Sequence, residues 1–413
     1  MLRYLKLIFM IILFIWISFF APLAGYYWQN WQTIFLVFLI LSLIILVCIN
    51  KEDFKRIFDK KDISFWIFLL TMLSGIINVK QPPLAYHHFW YAVFPIPFVF
   101  LFAKVNFEER QGIVLMRSLC LIASLVSIYG ILEFITKRNF IYINYLNNFY
   151  YLSFKGRRMM STHIHPTPLA TYLIGVFPLA QGLVFKEKNA VLKSAAVVCA
   201  GIISIGIILT FSRGALLGAL AAAAVMVFFL LRQKKIFISA LVLLGAVIGV
   251  SSLLSYWGYF PFYRYSFTGL LQKFVYTSKI DRFIMTLQIL KEHPFLGVGF
   301  GHFRVLFDNY LPHLANVCGY DTKVADCMYL TILAETGLIG FTGFALFIFS
   351  LLKQAGLKLK LMAENKDKIL PVCFLSGFVA IMCAFLTYDG LYWIAPSYLF
   401  WSYAGILAKQ RKS

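Results

Sequence analysis

Residues 194–231 read SAAVVCAGIISIGIILTFSRGALLGALAAAAVMVFFLL, a run of 38 residues carrying one charge, Arg213. That is about twice the length that crosses a ~30 Å hydrocarbon core as a helix. Such a run leaves the chain few choices. A membrane-crossing segment must satisfy its backbone hydrogen bonds internally, so continuous apolar runs become helices. A β-barrel would show short alternating segments instead. Leaving Arg213 at mid-bilayer would cost at least ~2.5 kcal/mol. The run is therefore expected to break at TFSRG. Two helices would meet there in a tight turn, with Gly214 supplying backbone freedom and Arg213 at the membrane surface. A snorkelling arginine at a helix end also fits the pattern. A basic residue in a short outer turn is uncommon, however, and a docked anion would explain it.

Similar runs recur. Spans are expected at about 7–22, 33–49, 63–79, 88–103, 112–135, 167–185, 194–211, 214–231, 236–254, 327–352, 369–387 and 391–408. The fold class is thus an all-α polytopic membrane protein of about twelve transmembrane helices, one membrane domain over residues 1–413. The first apolar stretch, Leu7 to Phe20, follows Arg3 and Lys6 like a signal peptide. It lacks a small-residue cleavage site and reads as a retained helix. Only 13% of residues are charged, against about a quarter in soluble domains.

The net charge of +21 invites a nucleic-acid partner, but its placement argues otherwise. With the N-terminus inside, the inner tails and loops hold 23 of the 38 Lys and Arg residues. These loops are short and obey the positive-inside rule. Both termini are then cytoplasmic. Of the seven cysteines, Cys318 and Cys327 fall outside the bilayer, where a disulfide is chemically permitted. The rest sit in spans as small apolar packing residues.

Two outer loops stand out. The first, 136–166, alternates aromatic and polar residues, which suits the headgroup layer, and ends with Arg157, Arg158, His163 and His165. The second, 255–326, far exceeds the length of an ordinary connection. It is read as an ordered extracytoplasmic subdomain between spans 9 and 10. Within it, Ile280, Phe283, Ile284, Leu287 and Leu290 fall at helical spacing. Ser278 is a candidate N-cap, and Pro294 ends the segment. Arg282 lies on the first turn of this amphipathic helix, as an anion ligand or as an interfacial lipid-headgroup contact. The GVGFG stretch has no preceding strand, so its glycines read as a tight bend or a close approach. Asp326 immediately precedes an apolar helix, as an N-cap, a general base, or both. Glu335 lies in that helix. An intramembrane carboxylate is either functional or the partner of a neighbouring helix's arginine or hydroxyl. Gly337 and Gly340 allow close helix packing. His163, His165, His293, His302 and His313 invite a metal reading, but no His/Cys/carboxylate set has structural-zinc spacing. No metal and no cofactor is expected. Arginines could hold a polyphosphate directly and bidentately.

The stretches MMSTHIHPTPLATYL, TFSRGALLG, DRFIMTLQILKEHPFLGVGFGHF and MYLTILAETGLIG resemble the O-antigen ligase and polymerase superfamily of bacterial inner membranes. The resemblance covers about 160–345 by motif. It implies a metal-independent glycosyltransferase with a GT-C-like fold, acting at the periplasmic face. Its donor would be a glycan on undecaprenyl pyrophosphate, and its acceptor a lipid A–core or lipid-linked glycan, both presented in the lipid bilayer. Arg213 and Arg282 are implied to hold the pyrophosphate. Ligases of this family usually carry a His, often followed by Asn, just before the span that begins here at CMYL. This chain has Asp326-Cys327 instead. Asp326 or the nearby His313 is left as the base. The resemblance implies an O-antigen ligase of lipopolysaccharide assembly first and a polymerase of the same superfamily as the alternative, and the departure weakens ligase relative to polymerase. Arg157, Arg158, His163, His165, His302, Tyr329 and Glu335 complete the expected substrate contacts. Tyr263, Tyr265, Tyr310 and Tyr320 are candidates for stacking on sugar faces. A lipid-linked sugar transporter is the alternative from another class.

Overall fold

The computed structural model describes residues 2–20, 29–49, 62–108, 111–141, 158–231, 256, 279–315, 323–362 and 368–409. Among these residues every element is helical. In chain order they are α1 (Leu2–Ile15), widening into a π-helical turn at Trp16–Phe20, and α2 (Gln29–Ile49). Then come α3 (Ile63–Met72), α4 (Pro82–His88), α5 (Ile96–Asn106), α6 (Gly112–Thr136), α7 (Pro166–Lys186) and α8 (Ala190–Leu209). They are followed by α9 (Arg213–Met226), α10 (Lys279–Glu292), α11 (His302–Tyr310), the short α12 (Pro312–Ala315), α13 (Met328–Leu361), α14 (Ile369–Ala384) and α15 (Ile394–Ala408).

Among the described residues six helical segments are long and apolar enough to cross a membrane: Pro82–Asn106, Gly112–Thr136, Pro166–Lys186, Ala190–Leu209, Arg213–Leu230 and Met328–Leu361. The chain is a multi-pass membrane protein. The expected spans at 63–79, 369–387 and 391–408 fall on the shorter helices α3, α14 and α15. The expected ninth span, 236–254, lies outside the described residues.

The bundle is built around α7, most of whose residues are buried. Helix α14 packs against α7 and α9, α15 against α5, α13 against α3, and α8 against α6 and α7. Small residues set these contacts. A Cβ on Gly377 would lie 2.3 Å from the Gly175 carbonyl oxygen, and one on Gly218 would lie 2.6 Å from that of Ala380. Helices that meet backbone to backbone gain dispersion contacts that lipid cannot match. Between α3, α5, α13 and α15 an aromatic stack fills the core. Phe65 lies 3.9 Å from Phe100, and Phe68 5.3 Å from Trp401, between ring centroids.

The two ends of the bundle differ in chemistry. At one end the charges are paired. Arg117 Nε and Nη2 donate to the Glu187 carboxylate at 2.7 and 2.8 Å, and Lys104 pairs with Asp62. Arg117, which lies in α6, thus has a carboxylate partner just after α7. At the other end the connections at 73–82, 158–166, 209–213 and 385–394 converge with α10 and α11. The described part of the large loop has a small apolar core of its own, with Met285, Ile289, Phe303, Phe307 and Leu311 closing on Ala334 of α13.

Candidate functional site

Helix α13 is broken at Gly337, whose φ of 64° and ψ of −166° belong to a region that is essentially glycine-only. A break at this point leaves carbonyls of the first half and amides of the second without helical partners. The HPFLGVGFG segment supplies them. Val298 and Gly299 amides donate to the Ala334 and Glu335 carbonyls at 3.0 and 2.9 Å. The Leu338 and Ile339 amides donate to the Pro294 and Phe295 carbonyls at 2.9 and 3.2 Å. Ser74 Oγ donates to the Thr336 carbonyl at 2.9 Å. Gly297, Gly299 and Gly301 all have positive φ, so the expected tight bend is present and interlocks with the AETGLIG segment. A Cβ on Gly337 would lie 2.3 Å from the Phe295 carbonyl oxygen.

The expected turn between α8 and α9 spans residues 210–212. The left-handed residue there is Phe211, at φ 49°, rather than Gly214, which lies inside α9. Gly214 is needed for proximity: a Cβ there would fall 2.0 Å from Thr387 Oγ1. Arg213 is the first residue of α9, behind Ser212 as N-cap. The segment following Arg158 fixes this turn. Arg158 Nε donates to the Thr210 carbonyl at 2.8 Å, and the Met159 amide to that of Leu209 at 2.9 Å. Buried Glu133 of α6, unremarked in the sequence, holds the segment by accepting from the Ser161 and Met160 amides at 2.5 and 3.2 Å.

Arg282 is buried, 5% exposed, and its Nη1 donates to Asp326 Oδ2 at 2.5 Å. Its guanidinium lies 5.8 Å from the Phe307 ring centroid, within cation–π range. This corrects the interfacial reading of Arg282. The residues of α10 that face outward are Ile280, Phe283, Ile284 and Leu287, so the apolar stripe is exposed and the arginine is turned inward. Asp326 is not the N-cap of α13. That position is Cys327, without a side-chain cap bond, because the Asp326 carboxylate points to Arg282. Asp326 adopts φ 54°, unusual away from glycine and enriched at functional sites. Its side chain is 35% exposed.

Two further groups were not singled out from sequence. Lys279, one turn before Arg282, donates from Nζ to the Asp326 and Thr387 carbonyls, both at 3.4 Å. It thereby connects the Arg282–Asp326 pair to the residue that abuts Gly214. Burial lowers its pKa, with the charge of Arg282 acting in the same direction and Asp326, Cys327 and Asp389 opposing. Asp389, in the connection before α15, accepts from Thr331 Oγ1. Burial raises its pKa to about 6, with the Asp326 charge adding and the Thr331 hydrogen bond and Arg304 charge opposing. Its Oδ2 is buried with no hydrogen-bond partner among the described residues.

The remaining expected residues are dispersed. His313 is 60% exposed and lies 3.6 Å from Asp281 Oδ2. His302 is buried, accepts from the Gln81 amide at Nε2 at 2.9 Å and faces the Phe300 carbonyl through Nδ1 at 3.0 Å. Both ring nitrogens therefore serve the fold. Buried His163 lies 3.1 Å from Thr162 Oγ1, and burial lowers its pKa to about 3. His165 caps α7, its Nδ1 accepting from the Thr167 amide at 3.1 Å. Tyr329 donates to the Met382 carbonyl at 2.9 Å. Glu335 accepts from the Tyr392 hydroxyl, the neighbouring-hydroxyl arrangement expected of a structural carboxylate. Tyr310 donates to Glu292 Oε2 at 2.5 Å, and burial leads the causes that raise its pKa to about 12. Arg157, Ser278, Cys318, Tyr263, Tyr265 and Tyr320 lie outside the described residues.

Chemically, one end of the bundle joins a buried arginine, a half-buried lysine and two carboxylates beside a helix start that carries a further arginine. Helix starts and guanidinium groups favour anions. A carboxylate titrating near 6 suits proton transfer near neutral pH. Residues 197–345 match the protein-family model described as O-antigen ligase. No curated protein matches the chain. The matched stretch contains Arg213, Arg282, Asp326, Glu335 and Gly337, and it supports membership of the O-antigen ligase superfamily.

Proposed function

We propose that this protein transfers a glycan from undecaprenyl pyrophosphate to an acceptor sugar hydroxyl at the periplasmic face of a bacterial inner membrane, without a metal. The bundle then has twelve spans in a GT-C-like arrangement, with both termini cytoplasmic. What carries the reading is the Arg282–Asp326 pair, joined through Lys279 and Thr387 to the turn that holds Arg213. Arg213 and Arg282 bind the pyrophosphate and offset the charge that develops as it leaves. Asp326, released from Arg282, takes the acceptor hydroxyl proton. The acceptor oxygen bonds to the anomeric carbon, the bond from that carbon to phosphate oxygen breaks, and its electron pair leaves with the lipid pyrophosphate. Asp389 lies beside this exchange as a second proton acceptor. The resemblance implies inversion at the anomeric carbon.

The acceptor defines the type. A lipid A–core acceptor makes the protein a ligase, which is the first reading; the alternative, a polymerase extending another lipid-linked glycan, gains weight from Asp326 standing in place of the usual His. The test is purified protein in detergent with an undecaprenyl-pyrophosphate glycan, each acceptor and a chelator, products followed by mass. Arg213→Ala abolishes release of lipid pyrophosphate and Arg213→Lys retains part of it. Retained turnover in Arg213→Ala at normal protein level would sink the role of Arg213. Folded wild-type protein that releases no lipid pyrophosphate with any acceptor would turn the reading to a lipid-linked sugar transporter.

A further inference from the structure

We infer that Lys279 is a third phosphate-binding cation of this site, acting beside Arg282 on a diphosphate that takes the place of the Asp326 carboxylate. The inference rests on the proposed pyrophosphate donor and adds a residue and an order of events to it.

Lys279 and Arg282 sit three residues apart on α10, so their side chains project from one face. Their present partners differ in kind. Arg282 is ion-paired with a carboxylate at 2.5 Å. Among the described residues Lys279 donates only to two neutral carbonyls, at the long distance of 3.4 Å. An ammonium has three donors, and the two bonds it makes among the described residues are long enough to exchange for a ligand. Its half-buried setting disfavours an uncompensated charge, a cost that an incoming anion removes.

The place for that anion is already filled by an anionic group of the chain. The Asp326 carboxylate lies on Arg282 while the Asp326 carbonyl lies against Lys279. Asp326 is held in a left-handed conformation, and among the described residues its carboxylate bonds to Arg282 rather than to the start of α13. A diphosphate reaching Lys279 and Arg282 together displaces the carboxylate, and the base becomes available only once the donor is in place. No covalent step is added: the exchange is one anion for another.

The test uses the full chain in detergent with inorganic pyrophosphate as the probe, binding followed by calorimetry and folding by thermal melting. Lys279→Met should weaken pyrophosphate binding roughly ten- to hundredfold, the loss expected of one charge-assisted contact. It should also lower the salt dependence of binding, while Lys279→Arg restores most of the affinity. Were Lys279→Met to melt early, Lys279→Gln and the salt dependence of Lys279→Arg carry the same comparison. Wild-type affinity in a folded Lys279→Met or Lys279→Gln protein would overturn the inference. So would a lower melting temperature in both with affinity unchanged, which marks a brace for the two carbonyls. Absence of any pyrophosphate binding by the wild type would overturn it as well. A wild type that binds pyrophosphate yet transfers no glycan would instead remove the proposed reaction and leave Lys279 in place.

Discussion

Replacing Gly337 by alanine should unlatch the large loop from the membrane bundle. The φ/ψ pair at this residue costs a non-glycine residue ~1–3 kcal/mol before any contact is counted. The new methyl would also sit 2.3 Å from the Phe295 carbonyl oxygen. That atom is main chain and cannot rotate aside, so the 294–299 segment must move. Four backbone hydrogen bonds tie this segment to α13, each contributing about 1 kcal/mol net. Strain together with partial loss of these bonds gives a destabilisation of about 3–6 kcal/mol. Gly356→Ala is the matched control, since a Cβ there meets nothing within 4 Å on the same helix. It should be neutral or stabilising by ~0.5–1 kcal/mol. Melting of the two purified variants beside wild type, followed by fluorescence-detected size exclusion, reads both effects. Proteolysis of residues 293–301 should rise in Gly337→Ala alone. A Gly337→Ala protein that melts with wild type and resists proteolysis would refute the reasoning.

Two further outcomes follow from buried carboxylates. Asp389 has a folded pKa raised to about 6, so the folded state binds its proton more tightly than the unfolded chain. Its contribution to stability is full below about pH 4 and is lost as pH rises to about 6. At roughly 1.4 kcal/mol per unit the loss is at most about 3 kcal/mol. Asp389→Asn should therefore gain melting temperature relative to wild type on going from pH 4.5 to 7.5, and a pH-independent difference would contradict this. Glu133→Ala leaves the Met160 and Ser161 amides without the carboxylate that accepts from them, at a cost of about 2–4 kcal/mol. Because that segment holds the turn before Arg213, glycan transfer should fall together with the melting temperature. Normal transfer from a destabilised protein would separate the two.

The helices were legible because apolar run length is a direct physical demand of the bilayer. The break at TFSRG was legible for the same reason, since one cation in a double-length run has to reach water or a partner. The glycines of GVGFG and AETGLIG were legible as points of bending and close approach. That the two segments fit each other was not, because roughly forty residues separate them and neither records its partner. The pairings of Arg282 with Asp326 and of Glu335 with Tyr392 were hidden for that reason. Spacing on one helix says which residues share a face, not what the face meets. On α10 it identified the apolar stripe, yet that stripe faces outward and the charged residue inward. Asp389 carried no local signal: a single carboxylate in a short connection looks like an ordinary surface residue until the fold encloses it.

The division of α13 also bears on how the protein is made. From Leu338 to Leu361 the helix is about 36 Å long at 1.5 Å per residue, enough to cross the hydrocarbon core alone. The nine residues before Gly337 are too few to do so. They take their carbonyl partners from a segment synthesised roughly forty residues earlier. The long helix is thus long enough to cross the bilayer by itself, while its short companion is completed only when the preceding loop has folded back upon it. The half of α13 that carries Glu335 is therefore completed by the fold of the preceding loop, and cleavage of that loop should disturb the short half while leaving the long half helical.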